Sequence, residues 1–271
     1  MKERRILSLK KAAAAGTLSV PSGEPEVGAL RLDQALVARG LSASRARARD
    51  AILRGCVTVD GALVDKPAAM VTGGAVLAID DPAAEWVSRA ALKLIAGLDA
   101  FGIDPKAKVA MDLGASTGGF TQVLLARGAL HVVAVEVGHG QLHDSLRADP
   151  RVTLFENLNA RHLGPEHFPV PIGILVSDLS FISLTLALPP ALALAAPKAE
   201  GVFLVKPQYE AGREAIGKGG IVRDPAAAAA SAREVADWLN GREGWRVLGL
   251  VPSPIEGGDG NVEFLLGARR G

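Results

Sequence analysis

Apolar and polar positions alternate in two different ways along the chain, and the change falls near residue 82. Residues 1–29 show no sustained period and are rich in Ala, Gly, Pro, Ser and charge, a composition expected of a flexible arm. Order begins at Arg31. In RLDQALVARGL the apolar residues Leu32, Ala35, Leu36 and Leu41 mark a two-turn amphipathic helix ended by Gly40. Ser42 or Ser44 is placed to cap a second helix, SRARARDAILRGC, which should stop at Gly55. The period then drops to two in VTVDGALV, around an Asp60-Gly61 turn, which predicts a hairpin. These pieces predict a small α+β domain over residues 30–81.

From Trp86 onward the pattern predicts a β/α alternation. A helix in SRAALKLIAGLDAFG leads to strand KVAMDLG and helix FTQVLLARG. Strand HVVAVEV, helix GQLHDSLRAD and strand RVTLFEN follow, and then strand GILVSDL with a Leu/Ala-rich helix from Ser183. Strand GVFLVKP precedes a long insertion, helix DPAAAAASAREVADWLNG, and strands GWRVLGLVPS and GNVEFLLGARR. Strands spaced by helical stretches of this kind require a doubly wound, mainly parallel, Rossmann-like α/β sheet covered on both faces, here over residues 84–271. The last two strands are too close for a helical crossover and should form an antiparallel hairpin at one edge.

Composition adds an asymmetry. The net charge is only +1, yet residues 1–80 carry 12 basic and 8 acidic side chains, whereas residues 81–271 carry 18 and 21. A polyanion would therefore be gripped mainly at the front. Arg45, Arg47 and Arg49 recur at every second position of the second helix and spread over a wide arc, as a phosphate-facing surface would need. The single cysteine, Cys56, excludes an internal disulfide framework and any cysteine-based zinc site. The longest apolar run, Phe181 to Pro197, is interrupted by Pro189-Pro190 and is too short to span a bilayer. The first residues lack the uninterrupted apolar stretch of a signal peptide, so a cytoplasmic protein that needs no metal is expected.

The chemistry-bearing residues gather at predicted strand ends. MDLGASTGGF follows the first strand of the sheet and opens a helix, as a nucleotide-type site requires. Gly114, Gly118 and Gly119 do not keep the spacing of dinucleotide binders, and no Walker-type lysine is present. Glu136, at the end of the second strand, can accept both hydroxyls of a ribose. Together these features favour S-adenosylmethionine over NAD or a nucleoside triphosphate. Lys93 lies in the helix before the first strand, Asp178 and Lys206 end the fourth and fifth strands, and Glu263 falls in the last strand. In a doubly wound sheet Asp178 and Lys206 would stand side by side at the ligand crevice, and two lysines with two acids make a set neutral enough to bury.

The segments SRAALKL, DLGASTGGF, AVEVGHGQL, VSDLSFISL, LVKPQYEAGRE, GGIVRD and GNVEFLL resemble the TlyA family of RNA 2′-O-methyltransferases. These are relatives of the FtsJ-type enzymes and were historically often labelled haemolysins. The front segment resembles the S-four-type RNA-binding domain that such proteins carry. The resemblance covers about residues 30–268. It implies a catalytic tetrad of Lys93, Asp178, Lys206 and Glu263. It also implies a cofactor site formed by Asp112, Gly114, Ser116, Gly118, Gly119, Phe120, Glu136, Val137, Asn157 and Asp178. RNA contacts are expected from Arg31, Arg45, Arg47, Arg49, Lys66 and Arg89. Ala90-Ala91 stand where the family usually has two glycines, and Glu136 replaces the more usual Asp. Ribosomal RNA or ribosomal subunits are the implied partner, with a cytidine ribose the usual target and a monomer the favoured state. A non-catalytic ribosome-assembly factor is the alternative, and a membrane-active haemolysin a more remote one. The target hydroxyl must be held in line with the methyl group and lose its proton during transfer. A lysine can accept that proton near pH 7 only where a second cation or desolvation lowers its usual value of ~10.4, so Lys206 with Lys93 nearby is the candidate pair.

Overall fold

The computed structural model describes residues 28–167, 171–217 and 219–271. The arm expected over residues 1–29 lies almost entirely outside the described residues. The chain divides after Asp81 into two compact units.

The front unit begins with strand β1 (Leu30–Arg31) and helices α1 (Leu32–Ala38) and α2 (Arg45–Leu53). Strands β2 (Val57–Val59), β3 (Ala62–Leu63), β4 (Met70–Val71) and β5 (Leu77–Ile79) follow. Ser44 is the residue that caps α2, accepting the backbone N–H of Arg47 at 3.3 Å. The β2–β3 hairpin turns at Asp60 and Gly61, both at positive φ (50° and 80°), the conformation that an Asp-Gly pair favours. Strand β5 pairs with the other edge of β2, and β1 pairs with β4. Leu32, Leu36, Ala48, Ile52, Val57 and Val71 close a core of their own. Arg39 fastens the loop before β5 through the carbonyls of Thr72, Gly73 and Ala75.

The second unit holds α3 (Ala91–Phe101), β6 (Val109–Leu113), α4 (Gly119–Ala126), β7 (His131–Val135), α5 (Asp144–Arg147), β8 (Val152–Phe155) and β9 (Ile172–Ser177). Then come α6 (Leu184–Ala187), α7 (Pro189–Leu194), β10 (Ala195–Val205), α8 (Pro207–Glu210), α9 (Pro225–Asn240), β11 (Trp245–Pro252) and β12 (Phe264–Arg270). The sheet order is β11-β12-β10-β9-β6-β7-β8, with the five strands from β10 to β8 parallel. Strand β12 runs antiparallel to both β10 and β11, so the expected hairpin is present, with its second strand inserted inside the sheet. Alternate residues of the strands face opposite sides. Met111, Leu113, Leu175 and Phe203 pack under α6, α7 and α9, and Ala110, Ile174, Val202 and Leu265 pack under α3 and α4. Among the described residues no helix is long and apolar enough to cross a membrane.

Four sequence expectations need correction. The helix in GQLHDSLRAD shrinks to α5, because Gly140 takes a left-handed φ of 68° and His143, in a non-helical conformation with ψ 139°, caps the helix by accepting Ser145 N–H. The Leu/Ala-rich helix is two short helices, since proline at the first turn of α7 cannot continue the hydrogen bonding of α6. Strand β10 starts earlier than GVFLV, with a register shift between Ala195 and Glu200. Glu263 sits one residue before β12, outside the strand proper.

Candidate active site

The chain leaves β6 toward β7 on one side and returns to β9 on the other, which opens a crevice at the carboxyl ends of β6 and β9. The loop after β6 lines it. Gly114 and Ala115 both donate to the Val135 carbonyl, at 2.9 and 3.2 Å, so the loop is tied to the end of β7. Gly114 has φ 80°, and a Cβ there would lie 2.6 Å from the Asp178 carbonyl oxygen. Gly118 has φ 99°, and a Cβ would lie 2.2 Å from Leu146. Both positions therefore need glycine for conformation, and Gly114 for space as well, since its neighbour is backbone. Ser116 takes φ 47° between them, and its N–H donates to Glu136 at 2.9 Å. Glu136, nearly buried, also accepts Gly138 N–H at 2.8 Å. Each carboxylate oxygen keeps a lone pair, so bonds from a ribose remain open to it. Val137 and Asn157 are exposed beside it, and Asn157 holds φ 57°.

The four residues of the implied tetrad form two ion pairs. Lys206 Nζ lies 2.6 Å from Asp178 and donates to Ser180 Oγ at 2.9 Å. Lys93 Nζ lies 2.5 Å from Glu263, with both side chains buried. Asp178, Ser180 and Lys206 line a cleft of about 190 Å³ together with Gly114, Ser116 and Phe120. Lys93 and Glu263 are not part of its lining. The geometry thus places Asp178–Lys206 on the cleft wall, with Lys93–Glu263 as a buried pair joining α3 to the residue before β12.

Three neighbours of this cleft escaped the sequence analysis. Phe181 is 89% exposed and takes φ 63°, unusual for an aromatic residue, while its ring stands 5.3 Å from that of Tyr209. Glu210 accepts Ser183 Oγ at 2.6 Å and Leu184 N–H at 2.8 Å, which braces the end of α8 against the start of α6. Burial raises the Glu210 pKa, against the two hydrogen bonds. The scarcity of aromatics was the available signal: the chain has one Tyr and seven Phe, and one of each meets here.

Asp112, the penultimate residue of β6, is fully buried. Its Oδ2 accepts the Thr121 hydroxyl at 2.7 Å, and Oδ1 has no partner. Burial pushes its pKa up to about 7; the Thr121 bond opposes this, and the charges of Asp178 and Glu136 add to it. Asp112 and Glu136 are thus buried behind the Gly-rich loop while Asp178 lines the cleft, so three carboxyl groups surround the loop.

In the front unit Arg45, Arg47 and Arg49 are all exposed on α2, and Lys66 is exposed in the loop before β4. Arg31 is bound to Asp33, and Arg89, in the second unit, is half-buried. Among the described residues no cluster of His, Cys, Asp and Glu could hold a metal ion.

A Gly-rich loop and a strand-end acid at the switch point, with a lysine–aspartate pair at the rim, define a methyltransferase-type domain. Residues 86–270 match the FtsJ-like methyltransferase family, and residues 30–77 match the S4 domain. The chain is 47% identical over 240 residues to the 16S/23S rRNA (cytidine-2′-O)-methyltransferase TlyA of Mycobacterium tuberculosis, covering 88% of this chain and 89% of that one. It is 38% identical over 237 residues to Hemolysin A of Brachyspira hyodysenteriae, covering 87% and 98%. A solved Streptococcus thermophilus structure carrying a hemolysin name is similar with a TM-score of 0.68 at 38% identity, covering 89% and 88%. The chain belongs to the TlyA family, a methyltransferase domain of the FtsJ-like kind behind an S4 domain.

Proposed function

We propose that this enzyme methylates the 2′-hydroxyl of a cytidine ribose in ribosomal RNA, using S-adenosylmethionine, in the cytoplasm. The observation that carries the proposal is the Lys206–Asp178 pair on the wall of the glycine-lined cleft. The cofactor supplies an electrophilic methyl on a cationic sulfur. Gly114, Ser116 and Gly119 line the room it would need, Glu136 would take its ribose hydroxyls, and Asp178 on the cleft wall, with Asp112 buried behind the loop, would favour its positive charge. Phe181, exposed at the mouth beside Tyr209, offers a face on which a nucleobase can stack. The 2′-hydroxyl then lies against Lys206. Transfer requires the hydroxyl to lose its proton; a neutral Lys206 amine would accept it, and Asp178 and Ser180 would hold the ammonium so formed. Lys93 and Glu263 support the cleft from behind and add no net charge.

RNA fits the chemistry because only RNA offers a 2′-hydroxyl. Arg31, Arg45, Arg47, Arg49, Lys66 and Arg89 contact its phosphates. The test is methyl transfer from labelled S-adenosylmethionine to purified ribosomal subunits, with the modified nucleotide mapped. Label on a cytidine ribose is the expected result. Label on a base, or none on either subunit with cofactor bound, would overturn the proposal.

A further inference from the structure

Among the described residues of the front unit, Asp33 is the one acid that is almost fully buried, at 3% exposure, yet its ion-pair partners Arg31 and Arg45 reach the surface. Arg31 approaches it as a fork, Nε to Oδ1 at 3.0 Å and Nη2 to Oδ2 at 3.1 Å. Arg45, from the first residue of α2, places Nη2 on the same Oδ2 at 3.2 Å. The two guanidinium groups come from different helix starts, and their side chains remain 41% and 58% exposed. The Arg31 bond, opposed by burial and aided by Arg45, holds the Asp33 carboxyl down at about 2, so it is ionised throughout the working pH range.

We infer that Asp33 is a positioning residue for RNA binding, holding Arg31 and Arg45 as one fixed pair of guanidinium groups for the phosphate backbone. The inference rests on the proposed RNA-binding role of these arginines and deepens it. Two guanidinium groups on a shared oxygen would repel each other without the carboxylate between them. Arg31 spends one edge and Arg45 one N–H on Asp33, while both side chains stay exposed, which removes rotamer freedom before RNA arrives. Phosphate binding then avoids an ordering cost for two of the most flexible side chains.

The sign of one mutation separates this from ordinary electrostatics. Asp33→Asn adds one unit of positive charge to the front unit. A surface that binds RNA by net charge alone would then bind more tightly and with a steeper salt dependence. Positioning predicts the reverse: affinity of the full-length protein for 23S ribosomal RNA weaker by about 5- to 100-fold, the cost of ordering two free side chains. Arg31→Ala with Arg45→Ala should weaken binding and flatten the slope of log K against log salt by up to ~0.9 per lost contact. Asp33→Asn added to that double variant should then change little. Thermal melting of each variant reports folding. Should Asp33→Asn fail to fold, Asp33→Glu keeps the charge and displaces the carboxylate, and is also expected to weaken binding. Unchanged or tighter binding by a folded Asp33 variant overturns the inference. Unchanged affinity and slope in the arginine double variant overturns the RNA-binding role itself.

Discussion

Replacing Asp112 by Asn should stabilise the methyltransferase unit above neutral pH while weakening its hold on the cofactor. The folded-state pKa of this carboxyl, about 7, lies above its ordinary value of 3.8. The native chain therefore keeps a proton that the unfolded chain has lost, and folding is favoured most below about pH 4. That contribution declines as pH rises and levels off above about 7. Three units at about 1.36 kcal/mol each put the burden of the ionised form on the order of 4 kcal/mol. The amide removes this burden, but its NH2 would take the place of an oxygen that has no partner, at a cost of about 1–3 kcal/mol. A net gain of about 1–3 kcal/mol at pH 8 is expected, and little or none at pH 5. The stability difference between variant and wild type should thus widen by about 3 kcal/mol over that interval, reflecting the two pH units below 7. Urea unfolding without cofactor, followed by tryptophan fluorescence, measures it, because Trp86, Trp238 and Trp245 all lie in this unit. Cofactor affinity of the wild type should rise with pH through 7, and the variant should lose that dependence. A stability difference that stays flat from pH 5 to 8 would refute the reasoning.

Lys206→Ala should cost ~10²–10⁴-fold in methyl transfer while cofactor binding, followed by calorimetry, stays near normal. Activity within a few-fold of wild type would remove Lys206 from proton transfer. Gly118→Ala forces φ 99° on an alanine and drives its methyl into Leu146, so cofactor affinity should collapse and the melting temperature should fall by several degrees. Glu210→Ala releases the brace between α8 and α6, and kcat should fall about tenfold or more with the cofactor Kd unchanged. Equal losses in kcat and cofactor affinity would mean that Glu210 only supports the fold.

Strand periodicity carried most of the architecture, because a buried parallel strand reads as a short apolar run whatever surrounds it. The Gly loop and the residues at the ends of β9 and β10 were legible for the same reason, since topology alone sends them to one crevice. The partition of the tetrad into Lys93–Glu263 and Lys206–Asp178 needed coordinates, as it depends on contacts between residues up to 170 positions apart. Phe181 was invisible to periodicity because its exposure comes from a positive φ, which a non-glycine residue does not announce. The α5 difference arose locally, from the left-handed Gly140 and the His143 cap that delay the helix to Asp144.

The place of β12 orders the assembly of the enzyme. During synthesis the front unit can close its core as soon as Ile79 is available, since its described strands and helices lie within residues 30–79. The large sheet cannot do the same. Strand β12 belongs between β10 and β11, so β11 has no sheet edge to join until residues 264–270 have been made. Lys93, translated much earlier, waits just as long for Glu263 to neutralise it. Completing the sheet and neutralising that buried lysine are one event, so the nascent enzyme has the exposed arginines of its front unit well before it has a finished methyltransferase half.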